Sequence, residues 1–455
     1  MSNNRRRFLK NTAAATAAVS VPLFWKRAEG ARQDANDRKT VASVGVGGSR
    51  GRYNRGGSIA MQASKLGQTI AVCDVDALHN FQFNAKFNNQ LQTFIDYREM
   101  LDNVRPDIVT IGTPDHWHVP ISIAALRAGA DVYCEKPLTL TIEEGQRISQ
   151  VVKETGKVFQ VGTQQRSEYK RMFLQAIAIV RGGYLGDNLQ AHIAIGGAPA
   201  AGPFEATAAP DGLDWNMWLG PAPEALYMEE RRKMFRWFFE YSGGKMTDWG
   251  AHHIDIAQWG LGNENTGAVK VSGTGEFPSA VPENFDFGRW FAGNIALPNA
   301  FNALVKFNIR LEFANGTVMT VNDMYESEDG KTKFANGILF EGSEGRIMVN
   351  RGKLAGRPVE ALTDSDWQKI NDSVAELYGG EPTGHMQNFF DCIESRKDPV
   401  SDVHTHHRTM TSCHLCNIAL MLGRELQWDP QKEEFISDDQ ANALRIRPSR
   451  PGFSA

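Results

Sequence analysis

The sequence predicts a two-domain protein of mixed class, α/β followed by α+β. A doubly wound parallel sheet comes first, then a domain with a large open, mostly antiparallel sheet. Three observations carry this reading. A chain of 455 residues exceeds what one hydrophobic core usually fills. From Thr40 onward, short β-branched runs alternate with helical segments, the pattern of parallel strands joined by crossover helices. Beyond Gly186 the alternation stops, and strand-like runs follow one another across Gly and Asn turns.

Residues 40–44 (TVASV) read as a buried strand, and Gly45-Val46-Gly47-Gly48-Ser49-Arg50-Gly51 follows at once. Glycines there let the backbone turn tightly and approach a pyrophosphate held at the next helix N-terminus. Gly51 comes one residue later than G-x-G-x-x-G requires, so the loop alone is a weak signal. Its context strengthens it. The helical segment SIAMQASKLG leads to a strand at 70–73 that ends in Asp74, where a Rossmann domain grips the adenosine ribose hydroxyls. An Arg at that point would favour NADP, so Asp74 points to NAD, with NADP as the alternative.

Helix HNFQFNAKF, strand TFI, helix YREMLDN, strand 107–111, helix VPISIAALRAG, strand DVYC, helix IEEGQRISQVVKETG and strand VFQVG follow in order. Ligands of such sheets lie beyond the carboxyl ends of the strands. Two polar clusters fall there, 113–118 (TPDHWH) and Glu135-Lys136-Pro137. The expected cofactor-binding set is therefore Gly45, Gly47, Gly48, Gly51, Asp74, Thr113, Pro114, His118, Glu135 and Lys136.

Composition excludes several partners. A formal net charge of −4 gives no general attraction to nucleic acid or to an anionic membrane. Five cysteines (Cys73, Cys134, Cys392, Cys413 and Cys416) are too few, and odd in number, for a disulfide framework. Cys413-x-x-Cys416 reads either as a metal pair or as part of a buried helix. The apolar surroundings (SCHLCNIALMLG) and the lack of a second ligand pair favour the helix, so no metal is expected there.

The N-terminus reads as an address. Asn4-Arg5-Arg6-Arg7-Phe8-Leu9-Lys10, followed by NTAAATAAVSVPLFW, matches a twin-arginine export signal. A periplasmic, exported location is expected, with membrane contact only through export or an uncleaved leader. Residues 1–39 are set apart as signal and linker.

Two segments stand out chemically. Asp248, His252 and Asp255 are spaced i, i+4 and i+7, which puts them within about 60° on one helix face. A carboxylate beside an imidazole can hold its tautomer and raise its basicity. His253 lies about 100° away and reads as packing. Lys136 follows a parallel strand where a nicotinamide ring would lie, and an ammonium there can stabilise alkoxide character on a reacting oxygen.

The glycine loop, TPDHWH, Glu135-Lys136-Pro137 and Gly162-Thr163-Gln164-Gln165-Arg166 occur in a telling order. With 243–255 (GGKMTDWGAHHID), they resemble the Gfo/Idh/MocA (glucose–fructose oxidoreductase/inositol dehydrogenase) family from about Thr40 to the C-terminus. The resemblance implies hydride transfer between NAD(P) and a hydroxyl carbon of a sugar, inositol or related polyol. It makes Lys136, Asp248 and His252 catalytic, His252 taking the hydroxyl proton, Lys136 polarising the same oxygen and Asp248 orienting the substrate. Gln164, Arg166 and Asp255 become pocket residues, with His116, Trp117 and His118 near the nicotinamide. It also implies that the Lys136–Pro137 bond is cis, and that no metal is required at His116 and His118.

Strand-like runs in the second domain are LQAHIAIGG, AVKVSGTGEF, NALVKFNIRLEFANG, TVMTVND, GILFEG and GRIMVN. In the aromatic-rich excursion at 198–242, Trp215, Trp218, Trp237 and Tyr241 are candidates for stacking on a sugar, Trp237 and Tyr241 foremost. The expected boundaries are a cofactor domain at 40–165, a substrate and oligomerisation domain at 166–430, and a tail at 431–455. A helical return at 384–425 is expected to pack on the cofactor domain. A homo-oligomer, dimer or tetramer, is implied by the family's exposed sheet face.

Two other functions compete. One is a redox-neutral enzyme with tightly bound NAD, either a sugar–sugar oxidoreductase or an NAD-dependent glycoside-cleaving enzyme. Export favours it, because free NAD is scarce outside the cytoplasm. The other is a non-enzymatic NAD or sugar sensor, which would have no need of the proton-transfer groups at Lys136, Asp248 and His252.

Overall fold

The computed structural model describes residues 38–48 and 54–453; the twin-arginine-like segment and Gly51 lie outside the described residues. Strands β1 (Thr40–Val44), β2 (Gln68–Cys73), β3 (Gln92–Phe94), β4 (Ile108–Ile111), β5 (Asp131–Cys134) and β6 (Phe159–Val161) come first. They alternate with helices α1 (Arg55–Leu66), α2 (Ala77–Asn84), α3 (Tyr97–Val104), α4 (His118–Arg127) and α5 (Ile142–Thr155). The strands form one parallel sheet in the order β3-β2-β1-β4-β5-β6. Chain order reverses between β1 and β4, which opens a ligand crevice beyond their carboxyl ends.

Local chemistry sets these elements. β4 and β5 are buried along their whole length, which is why they read as apolar runs without alternation. Asp76, Asp96 and Thr141 accept backbone N–H groups at the starts of α2, α3 and α5. Gly156 closes α5 at a φ of 63°.

The second part begins with α6 (Met172–Arg181), β7 (Gln190–Ala194), α7 (Trp215–Leu219) and α8 (Glu229–Lys233). Next come α9 (Gly244–Asp248), α10 (Gly250–Gly260), β8 (Ala268–Glu276), α11 (Phe287–Phe291), β9 (Lys306–Phe313) and β10 (Val318–Asn322). A short pair, β11 (Tyr325–Glu326) and β12 (Lys333–Phe334), precedes β13 (Gly337–Gly342), β14 (Gly345–Val349) and β15 (Leu354–Arg357). Then α12 (Asp364–Tyr378), α13 (His385–Ser395), α14 (Val403–Leu422), β16 (Leu426–Asp429), β17 (Glu434–Phe435) and α15 (Asp439–Ala443) complete the chain.

Nine strands form one sheet in the order β15-β14-β13-β7-β10-β9-β8-β16-β17. Only β7 and β10 pair in parallel; the other pairings are antiparallel. Along β9, buried Phe307, Ile309, Leu311 and Phe313 alternate with Lys306, Asn308, Arg310 and Glu312, so one face joins the core and the other is polar.

The helical return is α13 and α14. Met386, Phe389 and Ile393 of α13 join Val41, Ile59 and Tyr133 in one buried cluster, and α14 packs on α5, α10 and β8. Cys413 and Cys416 are buried free thiols on α14, as the helical reading has it. Helices α6 and α12 were not foreseen from the sequence.

Candidate active site

The loop after β1 forms one end of a cavity of about 530 Å³ between the two sheets' domains. Gly45 has a φ of +76°, and a Cβ there would sit 2.8 Å from Thr113. At Gly47 a Cβ would lie 1.8 Å from Nδ1 of His79, so any side chain there would have to displace His79. The Gly47 N–H donates to Oδ2 of Asp74 at 3.0 Å, while Oδ1 accepts from the Asp76 N–H at 3.0 Å. Burial pulls the His79 imidazole down, but its contact with Asp74 outweighs this and leaves it above its ordinary value. Gly45, Gly47, Gly48, Asp74, Thr113, Pro114 and His118 all line this region. Glycines at 45, 47 and 48 at the β1–β4 switch, with a carboxylate at the end of β2, fit a dinucleotide.

The middle of the cavity is held by a network. Oε1 of Glu135 accepts from Nε of Arg55 at 2.8 Å and from Nε2 of Gln164 at 3.0 Å. His118 bridges two loops, with Nδ1 2.6 Å from the Pro137 carbonyl and Nε2 3.0 Å from that of Thr113.

At the far end, Lys136 reaches across the domains. Its bond to Pro137 is cis. Its Nζ donates to Oδ1 of Asp248 at 2.6 Å and to the Asp248 carbonyl at 3.0 Å. Arg236 Nε adds a contact to the same carboxylate at 3.2 Å. Burial favours the neutral Asp248 carboxyl, yet Lys136 and Arg236 outweigh it and hold the group well below the usual carboxylate range.

His252 lies on the first turn of α10, 4 % exposed, and lines the same cavity. Its Nδ1 is buried without a hydrogen-bond partner among the described residues. Burial first, then Lys136 and Arg351, push the imidazole well below its ordinary value, so the ring is neutral and can accept a proton.

Comparison with known proteins places the architecture. Residues 39–163 match the description "Oxidoreductase family, NAD-binding Rossmann fold", and residues 201–293 and 310–455 match "Oxidoreductase family, C-terminal alpha/beta domain". The chain belongs to the Gfo/Idh/MocA family. The scyllo-inositol 2-dehydrogenase (NAD(+)) of Bacillus subtilis is 30 % identical over 304 residues, 66 % of this chain and 72 % of that protein. The inositol 2-dehydrogenase of Salmonella typhimurium is 29 % identical over 126 residues, 28 % of this chain, and the match spans only 37 % of that relative's length. The WlbA dehydrogenase of Bordetella pertussis, solved with NADH and UDP-GlcNAcA, shares the fold at a TM-score of 0.57 and 14 % identity. That likeness covers 86 % of this chain and 99 % of that one.

Within this Gfo/Idh/MocA chain, several expected pocket residues sit elsewhere. Arg166 and Asp255 do not face the cavity; they form a two-pronged ion pair at 2.7 Å for each bond, 3 % and 0 % exposed at the side chain. Thr409 donates to the same carboxylate at 3.0 Å, and Trp259 lies against the guanidinium. Asp248 ends α9 whereas Asp255 lies in α10, so the two do not share one helix as the spacing predicts, and Asp255 meets Arg166 instead of the cavity. The expected Asp248–His252 contact is also absent among the described residues, because Lys136 and Arg236 occupy the carboxylate.

Tyr241 is fully buried and accepts a hydrogen bond from Arg231 at 3.0 Å, whereas Trp237 lines the cavity. His116 hydrogen-bonds the Trp218 carbonyl at 2.9 Å, behind the wall that Trp117 and His118 line. Sequence reasoning missed Arg55, Arg236 and Arg351. They come from the start of α1, the loop before α9 and the turn after β14, and no local spacing ties them to the motifs.

Proposed function

We propose that this protein is a nicotinamide-dependent oxidoreductase that moves a hydride between NAD(P) and a hydroxyl carbon of a sugar, inositol or related polyol. One observation carries the reading: Lys136, Asp248 and a neutral His252, whose Nδ1 has no hydrogen-bond partner among the described residues, converge at one end of a cavity whose other end is the glycine cradle and Asp74. Bound NAD would supply the hydride acceptor, held by the cradle, Asp74 and the loops at Thr113 and Glu135.

The chain's own groups do the remaining work. His252 takes the proton of the reacting hydroxyl. The Lys136 ammonium, fixed by Asp248, donates a hydrogen bond to the same oxygen and stabilises its developing charge. Asp248 holds Lys136 in position and offers an acceptor to a neighbouring hydroxyl. A sensor would have no use for such a set. The test is NAD reduction by the purified protein across a panel of sugars and inositols. Turnover with at least one supports the reading, and none across the panel counts against it.

One feature favours a second reading, a redox-neutral enzyme that keeps its NAD. The Asn4–Lys10 segment matches a twin-arginine signal, which we take to send the protein, already folded, to the periplasm. Stoichiometric nucleotide released on denaturing protein purified without added cofactor supports this version, and an empty protein opposes it. A dimer or tetramer is the oligomeric state proposed for either version.

A further inference from the structure

Arg351 stands apart from the ion-paired cations of the cavity. Arg55 pairs with Glu135, Arg232 with Asp76, and Lys136 and Arg236 with Asp248. Arg351 pairs with no carboxylate among the described residues. Its guanidinium lies 4.6 Å from the centre of the Trp249 ring and 4.7 Å from that of Tyr169. Its Nε is buried without a hydrogen-bond partner, although the residue lines the cavity. A guanidinium held against aromatic rings keeps its charge and has its in-plane N–H edge left for hydrogen bonding. Such an edge matches a planar, two-oxygen acceptor.

Its position is at the reacting end. Trp249 joins α9 to α10, between Asp248 and His252, and the Arg351 charge is among the influences that depress His252. Lys245 and Trp237 lie on the same wall, the ammonium 5.7 Å from the ring centre. Asp248, a carboxylate of this end, is already engaged by two cations. The hydroxyls of a neutral polyol could accept from that edge singly, whereas a carboxylate offers two acceptor oxygens in one plane and the counter-charge that Arg351 lacks among the described residues.

We propose that the substrate is an anionic sugar or polyol, carrying a carboxylate whose two oxygens are taken by the N–H edge of Arg351 while a hydroxyl carbon faces Lys136 and His252. This rests on the oxidoreductase reading above and narrows its substrate class. A phosphate ester presents related chemistry, and the test separates the two.

The experiment is calorimetric binding to the NAD-saturated protein, with glucose, glucuronate and glucose 6-phosphate as probes. Glucuronate is expected to bind at least about tenfold tighter than glucose, with a preference that shrinks as salt rises. In Arg351→Gln the ratio should collapse towards one, and in Arg351→Lys, which keeps charge but loses the planar fork, it should fall partway. Equal affinity for glucose and glucuronate, or an unaltered ratio in Arg351→Gln, overturns the proposal. Preference for the phosphate over glucuronate overturns the carboxylate assignment. Should Arg351→Gln fail to fold, the wild-type ratio and its salt dependence still decide. Binding and oxidation of neutral sugars without preference sinks only this narrowing; no binding of any probe and no turnover sinks the oxidoreductase reading with it.

Discussion

The duties proposed for Lys136, Asp248 and His252 are distinct, so their replacements should differ in kind. His252→Ala should lower kcat/KM by about 10²–10⁴-fold, the usual worth of a general base, while NAD titration stays near wild type. Unchanged kinetics would remove His252 from the mechanism. The wild-type pH profile follows from the same environment. Burial, Lys136 and Arg351 depress the imidazole, so the ring stays proton-free at pH values where an ordinary histidine is half charged. The acidic limb of kcat/KM should therefore lie below about pH 6.5, and a limb at or above that value contradicts the assignment. Asp255 is a different case. Asp255→Ala leaves Arg166 buried without its counter-charge, and denaturant unfolding should show a loss of about 3–5 kcal/mol. A variant of wild-type stability with a raised KM would return Asp255 to the pocket.

At the scale of elements, the parallel sheet and its helices were legible because short buried apolar runs alternate with helical segments, and the glycine loop sits at the strand order's reversal. The Asp248–His252–Asp255 spacing was legible too, but what each member touches was not. Helical angle says which face a residue takes, whereas neighbours decide what that face meets: the cavity for His252, Arg166 for Asp255. Arg55 and Arg351 left no trace in sequence, since they reach the site from remote segments. Packing of α1 on β1 depends on Gly56, where a Cβ would come 1.7 Å from the Gly45 carbonyl oxygen. Backbone cannot yield cheaply there. Gly56→Ala should cost about 1–3 kcal/mol in stability and weaken NAD binding by displacing the cradle, read by unfolding and NAD titration. Wild-type values in both would mean that α1 and the cradle are not coupled.

Across the whole molecule, many histidines are buried and neutral. His116, His253, His385 and His406 are pushed down to about 4 and His414 to about 3, burial being the largest cause in each. Their folded values lie below the unfolded value, so the unfolded chain binds more protons as pH falls. Stability should drop from about pH 6.5 towards 4, by up to about 1.4 kcal/mol per pH unit for each group. His192 and His252 are lowered as well and add to this loss, whereas Glu144, raised by burial to about 7, and Asp115, also raised by burial, act in the opposite sense. Unfolding midpoints that stay flat or rise between pH 6.5 and 4 would contradict this balance.

The proposed chemistry requires the two domains to meet so that Lys136 and His252 lie over one nicotinamide. The most direct measurement follows reduced nicotinamide by its absorbance while the NAD-saturated protein meets a panel of neutral and carboxylate-bearing sugars and inositols, for the wild type, Lys136→Ala and His252→Ala. The account predicts reduction by the wild type with at least one of these compounds, and a rate lower by about 10²-fold or more in each variant. Equal rates in all three proteins, or none in the wild type across the panel, would contradict it.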